Sequence, residues 1–123
     1  MKKSDLRARL KELVSEGVDG MTWPECLSCC RRLLAEFDAE HIDDISNRGK
    51  PWSDAEIKII LRLPPTSESI ALLARAFKRG AGSIEQIYKW AATEQQRIDE
   101  ARPDDSFVKQ IKRVANEIGW RGF

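Results

Sequence analysis

Apolar residues recur every three or four positions along most of the chain, which is the spacing of one face of an α-helix. The first such stripe predicts an amphipathic helix over Lys3–Glu16, which glycines end. The next stripe predicts a helix to about Phe37, followed by a short helix or turn over 39–46. No segment alternates apolar and polar residues as a half-buried strand does, so the pattern predicts an all-α fold.

Helix-capping residues mark where the other helices begin. "TWPE" at 22–25 and "SDAE" at 53–56 fit the capping box, in which a hydroxyl and a glutamate bond reciprocally to backbone N–H groups. Ser83 is expected to cap the helix that follows the glycine-rich turn at 80–82. The helices predicted after the second one cover about 54–63, 67–79, 83–101 and 105–118.

The segment 47–51, Asn-Arg-Gly-Lys-Pro, lacks apolar residues and is typical of a linker. We therefore predict an N-terminal helical extension over 1–46, which serves packing or dimerisation, and a central helical domain over 50–101. A C-terminal helix with an aromatic tail follows over 104–123. Trp120 and Phe123 in that tail are expected to dock on the core, the alternative being a recognition tail for a partner.

The central segment also carries a family resemblance. "PWSDAE" at 51–56, "LARAFKR" at 73–79 and "SIEQIY" at 83–88 resemble the Myb/SANT-like DNA-binding domain, a three-helix relative of the homeodomain. Its core aromatics are matched here by Trp52, Ile70 and Tyr88, which lie 18 residues apart, although the middle one is isoleucine. The resemblance covers about 50–90 and implies a three-helix helix-turn-helix unit there, whose third helix contacts DNA.

Helical spacing turns Ile84, Ile87, Tyr88 and Ala91 to one side of that third helix and leaves polar residues on the other. In a helix-turn-helix the second helix of the motif lies in the major groove. The predicted base-reading residues are Gly82, Glu85, Gln86, Lys89, Trp90 and Thr93. The predicted phosphate contacts are Arg48, Lys50, Lys78, Arg79 and Arg97.

The distribution of charge favours an anionic partner for the same segment. The whole chain has a net charge of +1, but residues 46–90 hold eight Lys/Arg and four Asp/Glu. We therefore predict sequence-specific binding of double-stranded DNA, in a small transcriptional regulator or a mobile-element accessory protein. Because the cations are few, we also expect a homodimer or a protein partner. The alternative is a non-catalytic helical adaptor that binds proteins through its N-terminal helices and its aromatic tail.

Other classes of function find little support in the sequence. Cys26, Cys29, Cys30 and His41 invite a zinc interpretation, but Cys26 and Cys30 share an apolar helical stripe and no second cysteine pair exists. Neither a nucleophile–base pair nor a phosphate-binding glycine loop stands out, so we expect no enzyme, cofactor, metal or small-molecule substrate. No apolar run approaches the ~20 residues that span a bilayer. The expected location is the cytoplasm, or the nucleus in a eukaryotic host.

Overall fold

The computed structural model describes residues 1–122, and the prediction of an all-α fold is confirmed over that range. The helices are α1 (Lys3–Glu16), α2 (Trp23–Glu40), α3 (Asp54–Leu61), α4 (Ser67–Phe77), α5 (Ala81–Ala92), α6 (Gln95–Ala101) and α7 (Ser106–Glu117). The chain divides into two compact units, residues 1–34 and the part from residue 35 onward. The division falls within α2, whose last residues belong to the second unit.

Local sequence explains where α3 and α4 begin. The Ser53 hydroxyl accepts from the Glu56 N–H at 3.1 Å, and the Ser53 N–H donates to the Glu56 carboxylate at 2.9 Å, which is the predicted capping box. At α4, the Thr66 hydroxyl accepts from the Ser69 N–H at 3.2 Å. Each cap satisfies backbone donors that the first turn of a helix leaves without intrahelical partners.

The second unit holds a core formed by α3, α4, α5 and α7. Trp52 and Tyr88 are buried in this core, and Ile70 packs half-buried against it. The three bulky residues of the sequence pattern therefore share one interior. Each such side chain contributes roughly 1.5–3 kcal/mol when it is removed from water, so apolar burial fixes the arrangement of these helices. Among the residues that the structure describes, those with no exposed surface are Ile57, Ile60, Ala74, Ile84, Ile87, Ile111 and Val114.

Polar side chains join α7 to the helices beneath it. The Gln110 amide donates to the Trp52 carbonyl at 2.8 Å and to the Asp54 carboxylate at 2.9 Å. The Arg113 guanidinium donates to both Asp54 oxygens at 3.0 Å. The Lys112 ammonium donates to the Ala91 carbonyl at the end of α5. The C-terminal helix is thus an integral part of the core that holds α5.

The chain turns back after α7 through a glycine. Gly119 has φ +66°, a left-handed conformation that glycine adopts without steric cost. Its N–H bonds to the Asn116 carbonyl and the Trp120 N–H bonds to the Ala115 carbonyl, which is the Schellman arrangement. Trp120 consequently packs against the core, as expected, whereas Phe123 lies outside the described residues.

The first unit differs in its burial. No residue of α1 is buried, and the leucines of its apolar stripe are exposed. In α2, Cys26 is buried, Cys30 is half-buried and Cys29 is exposed, so the predicted apolar stripe is only partly covered. Among the described residues, no helix is both long enough and apolar enough to cross a membrane.

Several helix boundaries differ from the prediction. α3 and α4 each end two residues earlier than predicted, at Leu61 and Phe77. α2 continues to Glu40 instead of ending near Phe37. α5 begins at Ala81 with Gly80 at its N-cap, so Ser83 lies inside the first turn instead of capping it. The helix predicted over 83–101 is two helices, because Thr93 is extended with ψ 133°. The Lys112 ammonium donates to the Ala91 and Thr93 carbonyls, so these backbone acceptors have a hydrogen-bond partner where α5 ends.

Candidate nucleic-acid interface

The corner between α4 and α5 is built on a left-handed residue. Lys78 has φ +56° and ψ +49°, and its N–H bonds to the Arg75 carbonyl. The Arg79 N–H bonds to the Ala74 carbonyl at 3.0 Å, so α4 also ends in a Schellman arrangement. Among residues 1–122, Lys78 is the one non-glycine residue with positive φ. Three residues therefore suffice to join the helices.

Four of the predicted base-reading residues lie together on the outer side of α5. Gly82, Glu85, Gln86 and Lys89 are all exposed, whereas the opposite side of the helix supplies core residues. The core thus holds α5 from one side and leaves the other accessible. The buried residues of α5 are Ile84, Ile87, Tyr88 and Ala91.

Tyr88 fixes the depth and rotation of α5. Its hydroxyl lies 2.8 Å from the Ile60 carbonyl and 2.9 Å from the Leu63 carbonyl, where α3 ends. Burial raises the pKa of Tyr88 to about 12, so the hydroxyl keeps its proton and remains a donor at physiological pH. This contact was not foreseen from the sequence, although a buried tyrosine generally needs a partner for its hydroxyl.

Gly82 leaves open space above the first turn of α5. A side chain at this position would meet no atom within 4 Å, and Gly82 has no positive φ. Neither packing nor backbone geometry requires a glycine here, although glycine weakens a helix by roughly 0.5–1 kcal/mol relative to alanine. The missing side chain keeps the backbone of α5 accessible to another molecule.

The remaining base-reading predictions find different environments. Trp90 is half-buried and packs against the core, with the Lys89 ammonium 4.8 Å and the Arg102 guanidinium 5.7 Å from its ring centre. Thr93 follows the end of α5, and its hydroxyl donates to the Lys89 carbonyl. Arg97, one of the predicted phosphate contacts, is exposed but belongs to α6. Because α5 ends at Ala92, neither Thr93 nor Arg97 continues its outer face.

Arg79 is the clearest correction to the predicted phosphate contacts. Its side chain is 5% exposed, and its guanidinium donates to the Lys50 carbonyl at 2.6 Å and to the Pro51 carbonyl at 3.1 Å. It also lies 3.8 Å from the centre of the Trp52 ring, a cation–π contact. The prediction was wrong because two backbone acceptors and an aromatic face recruit the guanidinium into the interior.

The segment 47–51 is hydrogen-bonded to the same corner. The Asn47 amide donates to the Phe77 carbonyl at 2.9 Å, and the Asn47 N–H bonds to the Lys78 carbonyl at 3.1 Å. Arg48 and Lys50 are exposed, and the Lys50 ammonium donates to the Asn47 side-chain oxygen. The two cations are therefore held beside the turn by backbone contacts. Sequence reasoning missed Asn47, whose only signal was an amide within a polar segment.

Two carboxylates partly neutralise the positive charge near the α4–α5 turn. The Lys78 ammonium lies 4.0 Å from Asp44, and both side chains are exposed. Hydrogen bonds from Ser46 lower the pKa of Asp44, with a weaker contribution from Lys78. Arg75 forms an ion pair with Asp38, and the hydrogen bonds from Arg75 lower the pKa of Asp38. Exposed ion pairs of this kind contribute little to stability, so a phosphate can compete for the cations.

Two grooves flank α5. One of about 440 Å³ is lined mainly by apolar residues and takes in Trp120 from the C-terminal segment, with Glu85 and Lys89 at its side. The other, of about 320 Å³, is lined by Glu36, Glu40 and Glu85 together with small and apolar residues of α2, α4 and α5. The glutamates make this second groove unfavourable for phosphate groups, because the repulsion between like charges grows as they approach.

The described residues thus form an all-α protein in which a three-residue turn joins α4 to α5 and the outer side of α5 is exposed. The chain belongs to the family described as "Uncharacterised protein PM1205 C-terminal domain", whose model matches residues 46–122. It is 36% identical over 124 residues to "Uncharacterized protein PM1205" of Pasteurella multocida (strain Pm70), which covers 98% of this chain and 99% of that protein. No solved structure matches. The matched length includes the N-terminal helices as well as the family domain.

Proposed function

We propose that this is a non-catalytic protein that binds double-stranded DNA in a sequence-dependent way through the outer face of α5. The observation that carries the proposal is the exposure of Gly82, Glu85, Gln86 and Lys89 on one side of a helix that the core holds rigidly from the other. A helix presented in this way fits the major groove of B-DNA, which is wide enough to admit an α-helix.

The exposed side chains offer both donors and acceptors to base edges. Gln86 suits bidentate bonding to adenine, Glu85 accepts from the amino group of cytosine, and Lys89 donates to guanine or to phosphate. Each good base contact contributes about 1–3 kcal/mol of discrimination. The absence of a side chain at Gly82 permits the close approach that such contacts need.

Lys78 supports a phosphate-binding role for the turn. A left-handed conformation costs a non-glycine residue roughly 1–2 kcal/mol, and a glycine at this position would avoid that cost. The chain instead places an exposed cation there, beside the exposed cations Arg48 and Lys50. Three cations at one end of the outer face are suited to fixing the register of a duplex, while the base contacts lie along α5.

The proposal is tested by fluorescence anisotropy with a labelled random duplex, followed by selection of preferred sequences. Binding should weaken steeply as salt rises, because bound cations release counterions from the phosphates. The double variant Gln86→Ala/Lys89→Ala should lose sequence preference and keep the thermal melt of the wild type. The matched control Gln96→Ala/Lys109→Ala changes exposed residues of α6 and α7 and should keep the preference. An unchanged preference in the first variant would remove α5 from the groove.

A helical adaptor that binds another protein is the second candidate. It is favoured by the apolar side chains that the first unit leaves exposed, such as Leu13 at 67% and Trp23 at 56%. An adaptor predicts no binding of the random duplex at any salt concentration, so the same titration separates the two functions. In a DNA-binding protein of this size, a transcriptional regulator or an accessory of a mobile element is the role we propose.

A further inference from the structure

The α1 helix presents an apolar stripe that nothing in its own unit buries. Leu6, Leu10 and Leu13 follow one another at spacings of four and three residues, and they are 47%, 49% and 67% exposed. That spacing is the seam of a coiled coil, in which apolar positions alternate by three and four residues and meet a second helix. A helix of 14 residues is marginal in water without a packing partner.

The charges in and next to α1 destabilise it as an isolated helix in two ways. Residues 2–11 contain five Lys/Arg and one Asp, whereas residues 12–19 contain three Asp/Glu and no cation. Cations near the N-terminus and anions near the C-terminus are unfavourable to the helix macrodipole. Like charges also repel at i,i+4 spacing, as in the row Lys3, Arg7, Lys11 and in the pair Glu12, Glu16.

An antiparallel second copy of α1 relieves both problems at once. It places the acidic half of each helix against the basic half of the other, sets the two dipoles in opposition and covers both leucine stripes. The pairing is self-complementary, as an interface with two-fold symmetry requires. A parallel copy would instead place cations against cations. A uniformly acidic partner would repel the acidic half, and a uniformly basic one would repel the other half.

We propose that two copies of this chain associate through antiparallel α1 helices. The inference does not depend on the DNA-binding proposal, since it rests on the leucine stripe and charge pattern of α1 alone. It assigns a specific occupant to the exposed apolar face of α1. The expected assembly is a homodimer in which the α1 helices form the contact.

Sedimentation velocity of the full chain measures the association. We expect a monomer–dimer equilibrium whose dissociation constant Leu10→Asp raises by more than about tenfold, because a carboxylate would replace a buried apolar contact. The matched control is Leu72→Asp, which changes a leucine of α4 that is 62% exposed and should leave the equilibrium unchanged. A monomeric wild type at all concentrations, or a dimer indifferent to Leu10→Asp, would overturn the proposal.

Charge reversal tests the orientation of the helices. An acidic variant with Arg7, Arg9 and Lys11 all changed to Glu should be monomeric. A basic variant with Glu12→Lys and Glu16→Lys should also be monomeric, and the two should form a dimer when they are mixed. A variant that carries all these changes has the net charge of each half reversed in sign and should dimerise alone without exchanging with the wild type. Exchange with the wild type would show a parallel pairing and contradict the proposal.

Discussion

The two units of the chain use the same helical periodicity with different outcomes. In the second unit the apolar positions of α3, α4, α5 and α7 meet in a core that includes seven residues with no exposed surface. In the first unit α1 has an equally regular stripe, yet none of its residues is buried. Periodicity therefore indicates which face of a helix seeks a partner, and it does not indicate where the partner is found.

The second unit is also held together by side chains that reach the backbone carbonyls of other elements. Tyr88 reaches the end of α3, Gln110 reaches the Trp52 carbonyl, and Lys112 reaches the end of α5. Each contact satisfies groups that burial would otherwise leave without water. These bonds define one arrangement of the helices, which an apolar core alone specifies less uniquely.

Truncating a core side chain of the second unit should have the largest effect on stability. Ile87→Ala should lower the free energy of unfolding of the second unit by about 2–5 kcal/mol, because it leaves a cavity where Ile87 had no exposed surface. The matched change in the first unit, Leu13→Ala, should alter that transition by less than about 0.5 kcal/mol. Urea denaturation followed by circular dichroism measures both. Equal losses in the two variants would contradict the contrast between the units.

An intermediate effect is expected at the buried cation. Arg79→Ala should destabilise the second unit by about 2 kcal/mol, because two carbonyls lose a charged donor. Arg79→Lys should recover less than half of that loss, since an ammonium reproduces neither the paired bonds nor the planar stacking on Trp52. Thermal melts compare these variants with Arg75→Ala, which breaks an exposed ion pair and should lower the melting temperature less than Arg79→Ala does. A melting temperature of Arg79→Lys equal to that of the wild type would contradict the burial of the guanidinium.

The smallest effect is expected from pH. Hydrogen bonds from Arg113, and then from Gln110, hold the pKa of Asp54 below its ordinary value of 3.8. The stability that this carboxylate contributes is therefore fully present above the ordinary pKa and is lost as the pH falls through the lowered value. Asp54→Asn should flatten this part of the acid-denaturation profile, and Asp104→Asn, at an exposed position, should not. Coincident profiles for Asp54→Asn and the wild type would contradict the assignment.

Helix positions were predictable where apolar spacing and capping chemistry agree. α1 matches its predicted bounds, and the Ser53 capping box forms as the sequence indicates. The break between α5 and α6 was not predictable, because the group that supports it is Lys112 of α7, 19 residues beyond Thr93. The start of α5 was missed since Ser83 looked like a better cap than Gly80.

At the candidate site too, features set by neighbouring residues could be predicted from the sequence, and features set by residues far apart in the chain could not. Exposure of Gln86 and Lys89 follows from the period of α5 itself, so sequence reasoning placed them on the outer face. Arg79 is buried because its guanidinium bonds to the carbonyls of Lys50 and Pro51. These carbonyls are close to Arg79 because segment 47–51 packs against the α4–α5 turn. A charge beside a turn therefore does not reveal whether it contacts a partner or its own chain.

Amide chemical-shift mapping with a selected DNA duplex shows whether α5 contacts DNA. ¹⁵N-labelled protein is titrated with the duplex, and each amide of α5 is compared with those of α1 and α2. If α5 lies in the major groove, the largest changes should fall on Lys78 and on the amides from Gly82 to Lys89. These changes should diminish in the Gln86→Ala/Lys89→Ala variant. Changes confined to α1 and α2, or no change in α5 at saturating duplex, would contradict the DNA-binding proposal.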